Sequence, residues 1–217
     1  IFRFYNYCHL WIFSMEKALR QQKNNIVKIV LFGPESTGKT TLSRQLAKHY
    51  KTVWAPEFAR EYLQEKWDTE SKICEPFDIL PIAVGQIKSE NEQATLANRL
   101  LICDTDLLET KVYSEVYFDG SVHPLLAKFS LENEYELYLL TYIDTPWKPD
   151  DLRDKPNERE EIFDIFESAL KKQKRPYMIL KGGKKARFQT AIKAIDTLLE
   201  DKKDVDGTSD SLSNPKK

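Results

Sequence analysis

No run of about twenty apolar residues occurs in this 217-residue chain, so nothing in it is long enough to cross a bilayer as a helix. Cysteine is scarce. Cys8, Cys74 and Cys103 are odd in number and form no CxxC pair, which excludes a disulfide scaffold and fits a reducing, cytoplasmic setting. Histidine is equally scarce, and His9, His49 and His123 follow no zinc-ligand spacing. An excess of either charge is lacking too: 33 Lys and Arg face 34 Asp and Glu, for a net charge of -1. Without a basic field the chain is not expected to hold nucleic acid or an anionic membrane surface. Only seven glycines are present, so each one that sits in a pattern is informative.

What is there is the composition of a globular protein, 41% hydrophobic and 31% charged, of a length that suits one domain. The aromatic-rich residues 1–14 are too short and too mixed for a signal peptide, and Met15 opens a plausible start. Residues 1–25 are therefore expected to be upstream sequence or a poorly ordered leader. Residues 201–217 lack aromatics and are rich in Ser, Asp and Lys, which predicts a disordered tail. Between the ends, short apolar runs alternate with helical patterns. The runs at 26–32, 52–55, 99–104, 135–141 and 176–181 read as strands. Helical patterns fill 40–50, 58–67, about 77–98, 106–118, the stretch up to about 172, and 186–200. Such alternation predicts an α/β fold, a parallel sheet covered by helices on both faces, over residues 26–200.

The strongest local signal is GPESTGKT, Gly33 to Thr40, which satisfies G-x-x-x-x-G-K-[ST] with a strand before it and a helix after it. The glycines permit turns that a side chain would block. The backbone N–H groups of Gly33, Glu35, Ser36, Thr37, Gly38, Lys39, Thr40 and Thr41 are then expected to surround the phosphates of ATP at a helix N-terminus. Lys39 brings a charge to the β- and γ-phosphates, and Thr40 a hydroxyl to Mg²⁺.

Asp104 ends the apolar run RLLICD, the place where such a protein holds its metal. Asp106, two residues on, either faces the same crevice or caps the next helix. APEFAREY, residues 55–62, puts Glu57 at the end of the second strand, where open α/β sheets bind ligands. A carboxylate there can orient and deprotonate an attacking hydroxyl, and Arg60 can hold a polar part of the acceptor. The alternative is a helix start with a surface ion pair. The proline-containing stretch 144–160 carries Arg153, Arg159 and Trp147. It suits a lid whose arginines meet the γ-phosphate and whose tryptophan stacks on a flat substrate ring, although its local acids also suit a solvated helix start.

Taken in order, GPESTGKT, APEFAREY, CDTDLLETKVYSEVYFDG, HPLL and DTPWKPDDLRDKPNERE resemble the ribosylnicotinamide kinase domain of NadR-type proteins, over about residues 26–195. The resemblance implies a P-loop three-layer sandwich with a five-stranded parallel sheet in the order 2-3-1-4-5. It implies ATP- and Mg²⁺-dependent phosphorylation of nicotinamide riboside, a small-molecule nucleoside, to nicotinamide mononucleotide. It also implies roles: Lys39 and Thr40 toward the phosphates and Mg²⁺, Asp104 toward Mg²⁺ or the acceptor hydroxyl, Glu57 and Arg60 toward the nucleoside, and Arg153 and Arg159 acting from the lid. With the reading of the residues themselves, the expected site is Lys39, Glu57, Asp104, Arg153 and Arg159 in catalysis, Glu57, Arg60, Asp106 and Trp147 toward the nucleoside, and Thr40 and Asp104 toward the metal. Two departures stand out. The H-x-G-H signature of the adenylyltransferase domain common in such proteins is absent, so that second activity is not expected here. Pro56 stands where tryptophan often precedes the glutamate, with Trp54 two places earlier. The competing readings are another P-loop nucleoside or nucleotide kinase, or a regulatory ATP-binding module.

Overall fold

In the computed structural model, residues 13–153 and 155–210 are described. Five strands form one parallel sheet: β1 (Val27–Phe32), β2 (Trp54–Ala55), β3 (Leu100–Asp104), β4 (Leu137–Thr141) and β5 (Tyr177–Leu180). Their order is β2-β3-β1-β4-β5, as the resemblance implied. The helices are α1 (Lys39–His49), α2 (Phe58–Glu70), α3 (Ile79–Leu96), α4 (Leu107–Tyr117), α5 (Pro124–Glu132), α6 (Arg159–Lys172) and α7 (Lys184–Asp210).

β1 is central, pairing with β3 on one side and β4 on the other, and all six of its residues are buried. Its side chains alternate between two cores, as strand geometry requires. Val30 and Phe32 join Leu108 and Val112 of α4 and Phe163, Phe166 and Leu170 of α6. Ile29 and Leu31 join Leu42 and Leu46 of α1 and Ala191 and Ile195 of α7. This is the three-layer arrangement. It delivers the carboxyl ends of β1, β2 and β3 to one crevice.

The structure corrects the expected elements in several places. The second strand loses its first two expected residues and keeps Trp54–Ala55, because the Thr52 N–H turns back to the Ala47 carbonyl of α1 at 2.9 Å instead of joining the ladder. The long helical pattern at 77–98 splits into a 3₁₀ turn, Pro76–Asp78, and α3. Helix α5 was not expected at all. It starts on Pro124 with the His123 ring nitrogen accepting from the Leu125 N–H at 3.2 Å, so His123 is a helix cap.

Both expected ends differ where they are described. Residues 13–18 are helical, and Leu19 is fully buried against Ile79, Ala83, Ile87, Leu126 and Phe129. The Asn133 side chain donates to the Leu19 carbonyl at 3.3 Å, and Asn91 accepts from the Gln22 N–H at 2.8 Å. The segment from 13 to 25 is thus docked on α3 and α5, not a loose leader; the rest of the expected leader, residues 1–12, lies outside the described residues. At the other end α7 continues through Asp210, so the helix replaces the first part of the expected tail, and 211–217 lie outside the described residues. No helix among the described residues is long and apolar enough to cross a membrane.

Candidate active site

The loop between β1 and α1 is built on glycine conformations. Gly33 has φ +129°, and a Cβ there would meet the Thr141 carbonyl oxygen and hydroxyl, each at 2.9 Å. Gly38, the N-cap of α1, has φ +91° and faces open space. Ser36 also takes a positive φ, 58°. Thr37 is buried and locks the turn: its hydroxyl donates to the Pro34 carbonyl at 2.7 Å and lies 2.7 Å from the Thr141 hydroxyl. Lys39 folds back, donating to the carbonyls of Gly33 at 2.6 Å and Pro34 at 3.2 Å. Thr40, in the first turn of α1, lines the adjoining cavity, and Thr41 points outward and is exposed.

Asp104 sits at the carboxyl end of β3, beside β1. It is wholly buried, and neither carboxylate oxygen has a hydrogen-bond partner among the described residues. Burial first, then the nearby Glu57, push its carboxyl up to about 7, against the pull of Thr40, Lys39 and Arg44. Burial works to lower the Lys39 pKa, but the negative charges of Glu109, Glu57 and Asp104 outweigh it and hold the ammonium above its usual value. An unpartnered buried carboxylate next to a glycine-formed cradle and a lysine fits a divalent cation carried on a nucleotide.

A cavity of about 730 Å³ opens from Thr40 and Asp104 toward α2. Glu57, Arg60, Glu61, Glu65 and Asp68 line it, as do Arg44 and Trp54. Glu57 occupies the N-cap position of α2, yet its side chain makes no capping hydrogen bond and remains available to the cavity. The Arg44 guanidinium lies over the Trp54 ring, 5.0 Å from its centroid.

Other sequence-derived residues go elsewhere. Asp106 takes the helix-cap alternative: it accepts from the Glu109 N–H at 3.0 Å and from the Tyr138 hydroxyl at 2.7 Å, and it is buried. Arg153 stays within the lid, donating to the Lys148 carbonyl at 2.7 Å and pairing with Asp150 at 3.1 Å. Arg60 makes a two-pronged contact to the same Asp150, at 2.8 and 3.2 Å, which latches the lid onto α2. Trp147 does not line the cavity; it lies beneath the Arg159 guanidinium, 5.6 Å from its centroid. Arg159 donates to the Thr145 carbonyl at 2.9 Å, while its Nε and one Nη are buried with no hydrogen-bond partner among the described residues. The lid is also tied to the phosphate loop: the Lys148 N–H donates to the Ser36 hydroxyl at 2.9 Å, and the Thr145 hydroxyl to the Ser36 carbonyl at 3.0 Å.

Sequence reasoning missed two residues that shape the loop. Arg187, buried at the start of α7, donates to the Thr37 carbonyl at 2.6 Å and the Tyr142 carbonyl at 2.6 Å, and pairs with Asp144. It joins the phosphate loop to the exits of β4 and β5. Glu109 of α4 forms an ion pair with Lys39 at 2.9 Å. The available signal was a lone acid beside Leu108 and Val112 on the buried stripe of α4.

A parallel sheet in this order, with a lysine-bearing glycine loop after β1 and an acid ending the neighbouring strand, defines a P-loop nucleotide-binding protein of the kinase type. Residues 28–187 match the family described as AAA domain, and the chain belongs to that family. It is similar to the trifunctional NAD biosynthesis/regulator proteins NadR of Salmonella typhimurium and Escherichia coli, each 30% identical over 125 residues. The match takes in 58% of this chain and 30% of each relative, so the chain spans under a third of their length. Among solved structures, NadR protein in complex with NR superposes with a TM-score of 0.68 at 26% identity, over 79% of this chain and 51% of the other. Thymidylate kinase from Ehrlichia chaffeensis, at 14% identity and a TM-score of 0.58 over 79% of this chain and 100% of the other, shares the fold.

Proposed function

We propose that this chain is an ATP- and Mg²⁺-dependent kinase that phosphorylates the 5′-hydroxyl of nicotinamide riboside, giving nicotinamide mononucleotide. The observation that carries the reading is the single cavity in which Thr40 and Asp104, from the phosphate side, meet Glu57, Arg60 and Trp54. Its likeness to NadR, a relative solved with NR, points to the same acceptor. The charge of the cavity points the same way. Glu57, Glu61, Glu65, Asp68 and Asp104 outnumber Arg44 and Arg60, which favours a cationic pyridinium nucleoside over an anionic nucleotide.

In this reading the loop N–H groups and Lys39 hold the triphosphate. Thr40 and Asp104 are the residues that would hold Mg²⁺. When bound, Mg²⁺ supplies charge neutralisation across the β- and γ-phosphates. Glu57 accepts a hydrogen bond from the acceptor hydroxyl, orients it, and takes its proton as the new O–P bond forms and the γ-phosphorus bond to the β-phosphate oxygen breaks, releasing ADP. Arg159, whose Nε and one Nη have no hydrogen-bond partner among the described residues, brings these donors from the lid to the transferring group. The lid ties at Ser36 and Asp150 limit the entry of water.

The test is acceptor-dependent ADP release with Mg²⁺ and ATP across nicotinamide riboside, uridine, cytidine, thymidine and their monophosphates, with Lys39→Ala as the blank. Selective stimulation by nicotinamide riboside is the expected result. Stimulation by another acceptor refutes the pyridine assignment and keeps the kinase. ATP binding with no stimulated turnover favours the regulatory module.

A further inference from the structure

Lys39 and Glu109 form a buried ion pair inside the phosphate site that the steps above do not use. Glu109 Oε1 lies 2.9 Å from Lys39 Nζ, and Oε2 accepts from the Gly33 N–H at 3.3 Å. Glu109 is 2% exposed and projects from the first turn of α4, a turn fixed by the Asp106 cap. A lysine ammonium has three donors. Here the ammonium donates to the Gly33 and Pro34 carbonyls, and Glu109 Oε1 closes its remaining side as an ion-pair contact at 2.9 Å. A phosphate oxygen therefore reaches Lys39 only by displacing one of these partners. The two carbonyls belong to the loop that wraps the phosphates and move with it. The Glu109 carboxyl comes from a separate element and is held there by the Gly33 N–H, so it does not move with the loop and occupies the place on Lys39 that a phosphate oxygen needs.

We infer that Glu109 is a positioning residue that sets the affinity of the phosphate site: it holds Lys39 against the loop, competes with nucleotide phosphates for it, and thereby speeds release of the diphosphate product. This rests on the reading of the loop as the nucleotide site. It explains why a carboxylate is buried where polyphosphate must bind. Tight holding of substrate and product alike lowers KM without raising kcat, so a built-in competitor favours turnover. Burial pushes the Glu109 carboxyl well up against the pull of Lys39, while the Lys39 ammonium is held above its usual value, so the contact rests on the geometry of the two groups.

The test is titration calorimetry of ADP and ATP, with Mg²⁺, on wild type and Glu109→Gln. Loss of one charged contact to Lys39 corresponds to tightening of ADP on the order of tenfold. ADP product inhibition should strengthen by the same factor. Glu109→Asp, whose shorter side chain draws back from Lys39, should tighten ADP by a smaller factor; melting curves confirm that both variants are folded. A merely structural carboxylate predicts the opposite sign, weaker ADP in both variants, and that result, or unchanged affinity, overturns the inference. Wild type that binds neither nucleotide overturns the phosphate-site reading itself, along with this one.

Discussion

Gln86 Oε1 accepts a hydrogen bond from the Phe58 N–H at 3.0 Å, tying the middle of α3 to the first residue of α2. The residue before it, Gly85, packs so closely on the Phe58 ring that a Cβ would lie 2.1 Å from a ring carbon. Gln86 Nε2 donates to Glu90 at 3.2 Å and reaches the Thr105 carbonyl at 3.5 Å, the latter a weak contact. One buried amide thus touches the residue after Glu57 and the residue after Asp104, and so holds the spacing of the two carboxylates. Thr105 itself sits at φ 75°, a conformation that needs such support.

Gln86→Leu should therefore cost activity more than nucleotide binding. Misplacement of a catalytic group by about 1 Å costs roughly 10²-fold in rate. A fall in kcat of roughly that size, with the ADP dissociation constant unchanged, is the expected outcome of steady-state kinetics paired with calorimetry. Equal losses in both would mean that Gln86 supports the whole domain rather than the acceptor side.

Leu19→Ala should destabilise the domain by about 2–5 kcal/mol, the usual cost of emptying a Leu-sized volume in a core. Leu19 is fully buried in the cluster built by α3 and α5. Leu19 itself lines neither the phosphate loop nor the adjoining cavity, so the loss should be read in stability first. Urea denaturation measures it. A loss below about 0.5 kcal/mol, the range of surface substitutions, would show that the segment adds nothing to the fold.

The phosphate loop was legible because its chemistry leaves few alternatives: glycines at two fixed places, then Lys39 and Thr40, between an apolar run and a helix. The sheet order followed from the resemblance. What escaped were residues whose type reads as solvated. Glu109 in a first helical turn looks like an ordinary favourable charge near a helix N-terminus. Arg187 lies in KGGKKARF, where neighbouring lysines make it look like surface. Helix α5 was hidden by its nine-residue length, and Asp106 by a choice between cap and crevice that spacing alone does not make. Tertiary burial, not local pattern, decides each of these.

Gly33→Ala should abolish nucleotide binding while leaving a folded chain. The added Cβ meets the Thr141 carbonyl at 2.9 Å, where the neighbour is backbone, and φ +129° is strained for any residue with a side chain. The loop must shift away from β4, moving the N–H cradle. Calorimetry with ADP reads the loss, and circular dichroism checks the fold. Wild-type affinity would show that the loop tolerates the shift.

Glu90 should make stability fall with rising pH. Burial raises its carboxyl to about 7, with Tyr135 and Gln86 opposing and Asp106 reinforcing. A folded-state pKa above the unfolded value of 4.5 means that the folded protein binds the proton more tightly. The contribution is full below pH 4.5 and declines until about pH 7. Glu90→Gln removes this dependence, and the Tyr135 hydroxyl, 2.8 Å away, can turn to accept from the new amide. The variant should gain stability relative to wild type on going from pH 4.5 to pH 8, by at most about 3 kcal/mol. Denaturation curves at the two pH values give the difference; a gap that does not widen with pH refutes it.

Arg159→Ala should strike the chemical step. Its Nε and one Nη are buried with no hydrogen-bond partner among the described residues, and burial lowers its pKa, with Arg187 adding to the effect. Leaving charged donors unsatisfied costs free energy unless something arrives to meet them. The transferring phosphoryl group is the natural match, since its charge spreads over three oxygens. Removing a donor of this kind costs about 10²–10³-fold in kcat. The dissociation constant for ADP, which lacks that group, should stay within about threefold, since only contacts made in the transition state are lost. Single-turnover kinetics with nicotinamide riboside separate the two quantities. A variant that keeps its rate but binds ADP poorly would assign Arg159 to the resting nucleotide instead of to the transfer.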